Sequence, residues 1–217
     1  MKLIPKGFKI NKLVRYFIMS DLTLFAGWGL ALPIFAVFVV EEVAGATVVT
    51  VGILAAIYWL VGSVVQIPVA MLLDKTEGEK DDFYVLTLGL FLASISAFLF
   101  LTVKTIPQLY LVQALHSTAF ALYVPSWLAI FSRHIDRSSI ALSWSLSRTA
   151  WGVATGVAGL FGGLIANAYG FAWVFVGAGV LSLVSVLIVW LVPDLILPPA
   201  KKNKVFLVDH DPRIIHH

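Results

Sequence analysis

The stretch Ala70-Met71-Leu72-Leu73-Asp74-Lys75-Thr76-Glu77-Gly78-Glu79-Lys80 separates two long apolar runs, Val48 to Leu73 and Phe83 to Val103, neither of which contains a charged residue. About 20 apolar residues in a helix cross the hydrocarbon of a bilayer. Each run therefore has the length of one membrane span, and the charged stretch reads as a turn at the membrane surface. Working outward by the same rule gives further spans at Leu13 to Val40, Ile106 to Phe131, Ile140 to Ala168 and Phe171 to Val192. Six spans use most of the 217 residues. They leave a basic cytoplasmic arm at 1–12 and a polar cytoplasmic tail at 198–217, flanking a six-helix transmembrane domain at 13–197. Composition points the same way: 60% of residues are hydrophobic and 12% charged, whereas a soluble chain runs at about half apolar and a quarter charged. The fold class is all-α, a polytopic membrane protein. Span 1 is expected to stay in the mature chain, because it is too long for a secretory signal and carries Asp21.

Lysine and arginine set the expected orientation. Of the 15 in the chain, Lys104 alone falls on one side and Arg148 alone lies deep inside a span; the rest, with Arg15 opening span 1, share the side of both termini. That side is expected to be cytoplasmic, in a plasma or cell inner membrane. The net charge of +3 reports this asymmetry, so no nucleic-acid partner is expected; the bilayer itself is the first partner. There is no cysteine, which excludes disulfides and thiolate chemistry. No Gly-x-Ser-x-Gly elbow, His-Glu-x-x-His helix or phosphate loop occurs, so no enzyme, cofactor or metal site is expected.

The stretch Ala70 to Lys80 resembles motif A of the major facilitator superfamily, Gly-x-Leu-Ala-Asp-Arg/Lys-x-Gly followed by basic residues. Asp74, Lys75 and Gly78 fall on the motif; Ala70 replaces its first glycine, one residue is inserted before Gly78, and Glu79 is acidic. Gln113-Ala114 and Pro125 in span 4 are similar to the superfamily's fourth helix, and Gly159-Leu160-Phe161-Gly162-Gly163 to its fifth, with Leu160 in place of a proline. The resemblance implies two inverted three-helix repeats forming one half of a twelve-span fold. It further implies a half-size secondary transporter of a small molecule, working by alternating access as a parallel homodimer. The alternatives are a non-transporting accessory subunit or a fragment of a twelve-helix transporter.

In span 5, Ser145, Thr149, Gly152, Gly156, Gly159 and Gly163 recur at intervals of three and four and so share one helix face. Small residues let helix backbones approach closely in lipid, and this stripe is the dimer-packing candidate. Packing within the same bundle is the competing reading. In the superfamily, spans 2 and 5 of one half meet those of the other, which would bring Asp74 near Ser138 and Ser139 of the partner's span 5.

Ionisable residues inside the hydrocarbon are costly and commonly functional. Asp21 lies about 13 Å into span 1 and Arg148 about 15 Å into span 5, at a rise of about 1.5 Å per residue. The matching depths predict that they pair or share a water-filled cavity on the substrate path. A proton-coupling role for Asp21 competes with a permanent salt bridge. Trp144 and Trp151 share the face of Arg148, where they could shield it or help hold an anionic or aromatic substrate. Phe25 and Trp28 in span 1, Tyr58 and Gln66 in span 2, and Gln113 and His116 in span 4 complete the candidate cavity. Spans 3 and 6 carry little polar content beyond Ser94, Ser96, Ser182 and Ser185, and are expected to face lipid. Substrate, coupling ion and direction stay open.

Overall fold

A computed structural model describes residues 12–76, 79–136 and 139–191. The described residues are helical, apart from short connections and one isolated bridge between Ala44 and Thr105. The first span is broken: α1 (Lys12–Ala31) passes through a 3-10 turn (Leu32–Ile34) into α2 (Phe35–Glu42). Pro33 lies in that turn, where a residue without an N–H and with a ring facing the preceding carbonyls interrupts an α-helix. The other spans are single helices: α3 (Val48–Leu73), α4 (Lys80–Phe100), α5 (Ile106–His134), α6 (Ile140–Tyr169) and α7 (Phe171–Trp190). All six spans are long and apolar enough to cross a membrane.

Local chemistry fixes the helix ends. Thr47 with Thr50, and Thr105 with Gln108, form reciprocal capping boxes that satisfy the free amides at the starts of α3 and α5. Gly170 alone separates α6 from α7 and has φ of 89°, a conformation that side chains disfavour.

The packing has a two-fold pattern. α1 packs on α6 and α7, α5 packs on α3 and α4, and α4 packs on α7. Exchanging the first three spans for the last three maps α1 against α6 onto α5 against α3, and α1 against α7 onto α5 against α4. Repeats of three spans each run oppositely through the membrane, so the expected pair of inverted repeats is present. Contact therefore lies mainly between repeats.

Close approach occurs where glycines leave room. A Cβ added at Gly162 of α6 would collide with the Leu30 carbonyl of α1, and one at Gly89 of α4 would lie 2.7 Å from the Tyr123 nitrogen of α5. Serines join the core helices: Ser20 and Ser185 hydroxyls are 2.7 Å apart, and Ser94 donates to the Gly179 carbonyl at 2.8 Å. Ser94, Ser96, Ser182 and Ser185 are all buried. This corrects the view of spans 3 and 6 as plain lipid-facing helices. A serine hydroxyl in hydrocarbon needs a partner, and its own or a neighbouring helix supplies one. The least buried spans are instead α3 and α6, with 11% and 17% of their most apolar stretches covered, against 50% for α4 and 39% for α7.

Candidate functional site

α1, α3, α5 and α6 together present a layer of half-buried aromatic and polar side chains. Phe25 and Trp28 come from α1, Tyr58 and Gln66 from α3, His116 and Phe120 from α5, and Trp144 and Trp151 from α6. Ring contacts join them across helices: Trp28 to His116 at 3.9 Å, Tyr58 to His116 at 5.5 Å, and Phe25 to Trp151 at 5.6 Å between centroids. Trp144 meets Trp127 at 5.9 Å and Phe131 at 5.0 Å, nearer the carboxyl end of α5. The His116 ring also lies within hydrogen-bond reach of the Ser96 hydroxyl, with Nδ1 at 3.3 Å. Gln113 is buried and donates to the Leu54 carbonyl at 3.3 Å, while the Ser117 hydroxyl donates to the Tyr58 carbonyl at 2.5 Å. These two bonds fix α3 against α5. Trp28 Nε1, Gln113 Oε1 and Thr155 Oγ1 are buried without a hydrogen-bond partner.

Asp21 and Arg148 do not pair. Asp21 is 3% exposed and accepts a hydrogen bond from the Tyr123 hydroxyl, with Trp127 and Ser147 beside it. Arg148 is exposed, and its guanidinium carbon lies 4.7 Å from the Trp151 ring centroid. The reason is azimuth. Successive helical residues turn by about 100°, so the turn that points Ser147 at α1 points Arg148 away from it. Depth matched; direction did not.

A further buried charge, Asp82, is not legible from apolar length, because it lies just before the apolar run that starts at Phe83. Asp82, at 0% exposure in the first turn of α4, pairs with Arg133 at the end of α5. His134 lies 3.6 Å from Glu79, and Thr76 donates to Asp81, so polar contacts join the α3–α4 connection, α4 and α5. Spacing could have revealed Asp82, since Asp82, Leu86, Leu90 and Ala93 fall on one face and are all buried. Asp74 and Lys75 close α3 in a turn, with the Asp74 amide donating to the Ala70 carbonyl at 3.0 Å, and both are exposed. Gly78 lies outside the described residues, as do the arm at 1–11, Ser138 and the tail.

The stripe on α6 does not pack within the bundle over most of its length. Ser145, Thr149, Gly152 and Gly156 are exposed, and Gly159 and Gly163 half-buried. A Cβ at Gly152, Gly156 or Gly163 would meet nothing within 4 Å. α6 meets α1 through a different small-residue face, Ser143, Ser147, Ala154, Ala158 and Gly162, all buried.

Six spans in two inverted repeats, with a polar and aromatic face left open along four of them, define an integral membrane protein built on a transporter fold. The sequence profile of the Major Facilitator Superfamily matches residues 18–211, and the chain belongs to that superfamily. Among solved structures it is similar to the in meso crystal structure of the POT family transporter PepTSo, with a TM-score of 0.62 and 15% sequence identity. That similarity covers 90% of this chain and 40% of that one, so the chain spans well under half the length of the transporter it matches. A comparison with curated proteins gave no match.

Proposed function

We propose that this six-helix unit forms one side of a small-molecule transport cavity, and that a second copy in the same orientation forms the other side. In this reading the pair is a parallel homodimer working by alternating access, with both termini on the cytoplasmic side of the plasma membrane. The observation that carries the proposal is the order of faces around α3 and α6. Around α6, at about 100° per residue, the buried face toward α1 is followed by Trp144, Arg148 and Trp151, then by exposed Ser145, Thr149, Gly152 and Gly156, and then by exposed Val153, Val157, Leu160 and Leu164. α3 repeats the order: buried Thr50 and Leu54, then Tyr58 and Gln66, then exposed Gly52, Ala56 and Ser63, then exposed Leu60, Val64, Ile67 and Met71.

Each helix so grades from core to polar cavity, to a small-residue strip, to a lipid-like apolar strip. A small-residue strip between cavity and lipid is where a second bundle can approach closely and seal the cavity edge. Asp74, exposed at the end of α3, would then lie at the cytoplasmic end of that seam.

The short coverage of PepTSo supports a competing reading, in which a different six-helix half completes the cavity. The absence of native cysteine makes the choice testable. A single Gly156→Cys substitution should crosslink to itself in native membranes if two copies meet along α6, and purified protein in liposomes should then carry out uptake unaided. Uptake only with a separate half, and no self-crosslink, would favour the competing reading.

A further inference from the structure

We infer that the open face binds an organic anion with an aromatic body, and that Arg148 is its counter-ion. This rests on the reading of that face as the cavity, and it adds a charge class and a named contact.

An arginine deep in a span requires a partner, because an unpaired charge in hydrocarbon costs several kcal/mol. The other charged groups of the described spans are unsuited to the task. Asp21 sits behind Tyr123, enclosed between α1, α5 and α6. Asp82 is paired with Arg133 at the end of the bundle where α1 starts and α7 finishes. Glu41 and Glu42 lie at the opposite end, with Lys104, and α3 has no charged residue from Val48 to Leu73. Arg15 lines a groove with Leu146, Thr149, Ala150 and Val153 on the apolar flank of α6, turned from the aromatic layer. A second copy brings the same set, and its one acid at this depth, Asp21, is enclosed behind Tyr123 in the same way.

Among the described residues, the contact that Arg148 makes is thus with the face of Trp151, within the about 6 Å of a cation–π pair. That contact leaves the edge of the guanidinium fork free for a carboxylate, which it can hold through two parallel hydrogen bonds. Phe25 stands edge-on to Trp151, with interplanar angle 90°. An aromatic body attached to the carboxylate would extend onto Phe25 and toward Phe120, where the rings are 6.3 Å apart. The face therefore offers a positive end and an apolar aromatic end, in the order that an arylacetate presents negative and aromatic ends.

Three probes with one ring and different charge test the assignment: indole-3-acetate, indole-3-acetamide and tryptamine, with affinity read on the purified protein by isothermal titration. The expected result is that the anion binds about tenfold to a hundredfold tighter than the amide, with tryptamine weakest. In Arg148→Gln that preference should collapse, and in Arg148→Lys it should partly return. Arg148 is exposed, so the Gln variant should keep the wild-type thermal midpoint, which shows that it is folded. A preference for tryptamine, an anion preference that survives Arg148→Gln, or no binding of any probe would overturn the inference. The Gly156→Cys crosslink reports independently on the transporter reading, so either can fail while the other stands.

Discussion

α4 and α7 occupy equivalent places in the two repeats, as do α3 and α6, and the two pairs treat polar residues in opposite ways. α4 and α7 turn Ser94, Ser96, Ser182 and Ser185 inward, where each serine finds a hydrogen-bond partner on its own or a neighbouring helix. α3 and α6 leave Tyr58, Gln66, Arg148 and Trp151 half-buried or exposed, and expose small residues alongside. Polar content thus does not by itself reveal which way a span faces. A hydroxyl can be structural glue, whereas a long polar or charged side chain on an uncovered face awaits something that the bundle does not supply.

That contrast is sharpest at glycine. Gly162→Leu should break the bundle, because its Cβ meets the Leu30 carbonyl; a loss of about 3 kcal/mol is expected, read as a collapsed thermal midpoint and polydispersity in detergent. Next in size is Asp82→Ala, which removes the buried carboxylate that Arg133 bonds and should cost about 1–3 kcal/mol; a double-mutant cycle with Arg133→Met checks whether the loss belongs to the pair. Tyr123→Phe removes the donor to a buried carboxylate, so a loss of about 1–2 kcal/mol is expected, and Asp21→Asn should relieve it in the double variant. Smallest for stability is Gly156→Leu, whose Cβ meets nothing within 4 Å. Its thermal midpoint should move by no more than about 0.5 kcal/mol equivalent, while crosslinking between Ser145→Cys copies falls sharply. A bundle destabilised as much by Gly156→Leu as by Gly162→Leu would erase the distinction between the two faces.

The six spans were legible because hydrophobic length is a property of the chain alone, and the predicted boundaries fall within a few residues of the observed ones. The inverted repeats came through the resemblance rather than through periodicity. Residue azimuth was harder. Asp21 and Arg148 stand at similar depth, but which way each points depends on helix rotation, and that is set by contacts such as Ser147 against α1. Likewise α6 carries two small-residue stripes, and spacing alone does not tell which one meets its own bundle. Asp82 is hard to read from sequence because Lys80 and Asp81 beside it give the segment the polarity of a loop. Its burial follows from α4 beginning at Lys80, one turn earlier than the apolar run suggests.

The exchange of contacts between repeats also sets an order of events during synthesis. Apart from α2 against α3, the first three spans scarcely touch one another; α1 waits for α6 and α7, and α3 and α4 wait for α5. A nascent chain threading into the membrane from its amino end thus holds three helices side by side without a core. Only when the second repeat arrives can the first one settle, and pairing of distant segments of this kind slows assembly and prolongs exposure of unfinished surfaces. Asp21, inserted early, meets Tyr123 only after about a hundred further residues have been made. Until then its carboxylate must be sheltered by water, lipid headgroups or the insertion machinery.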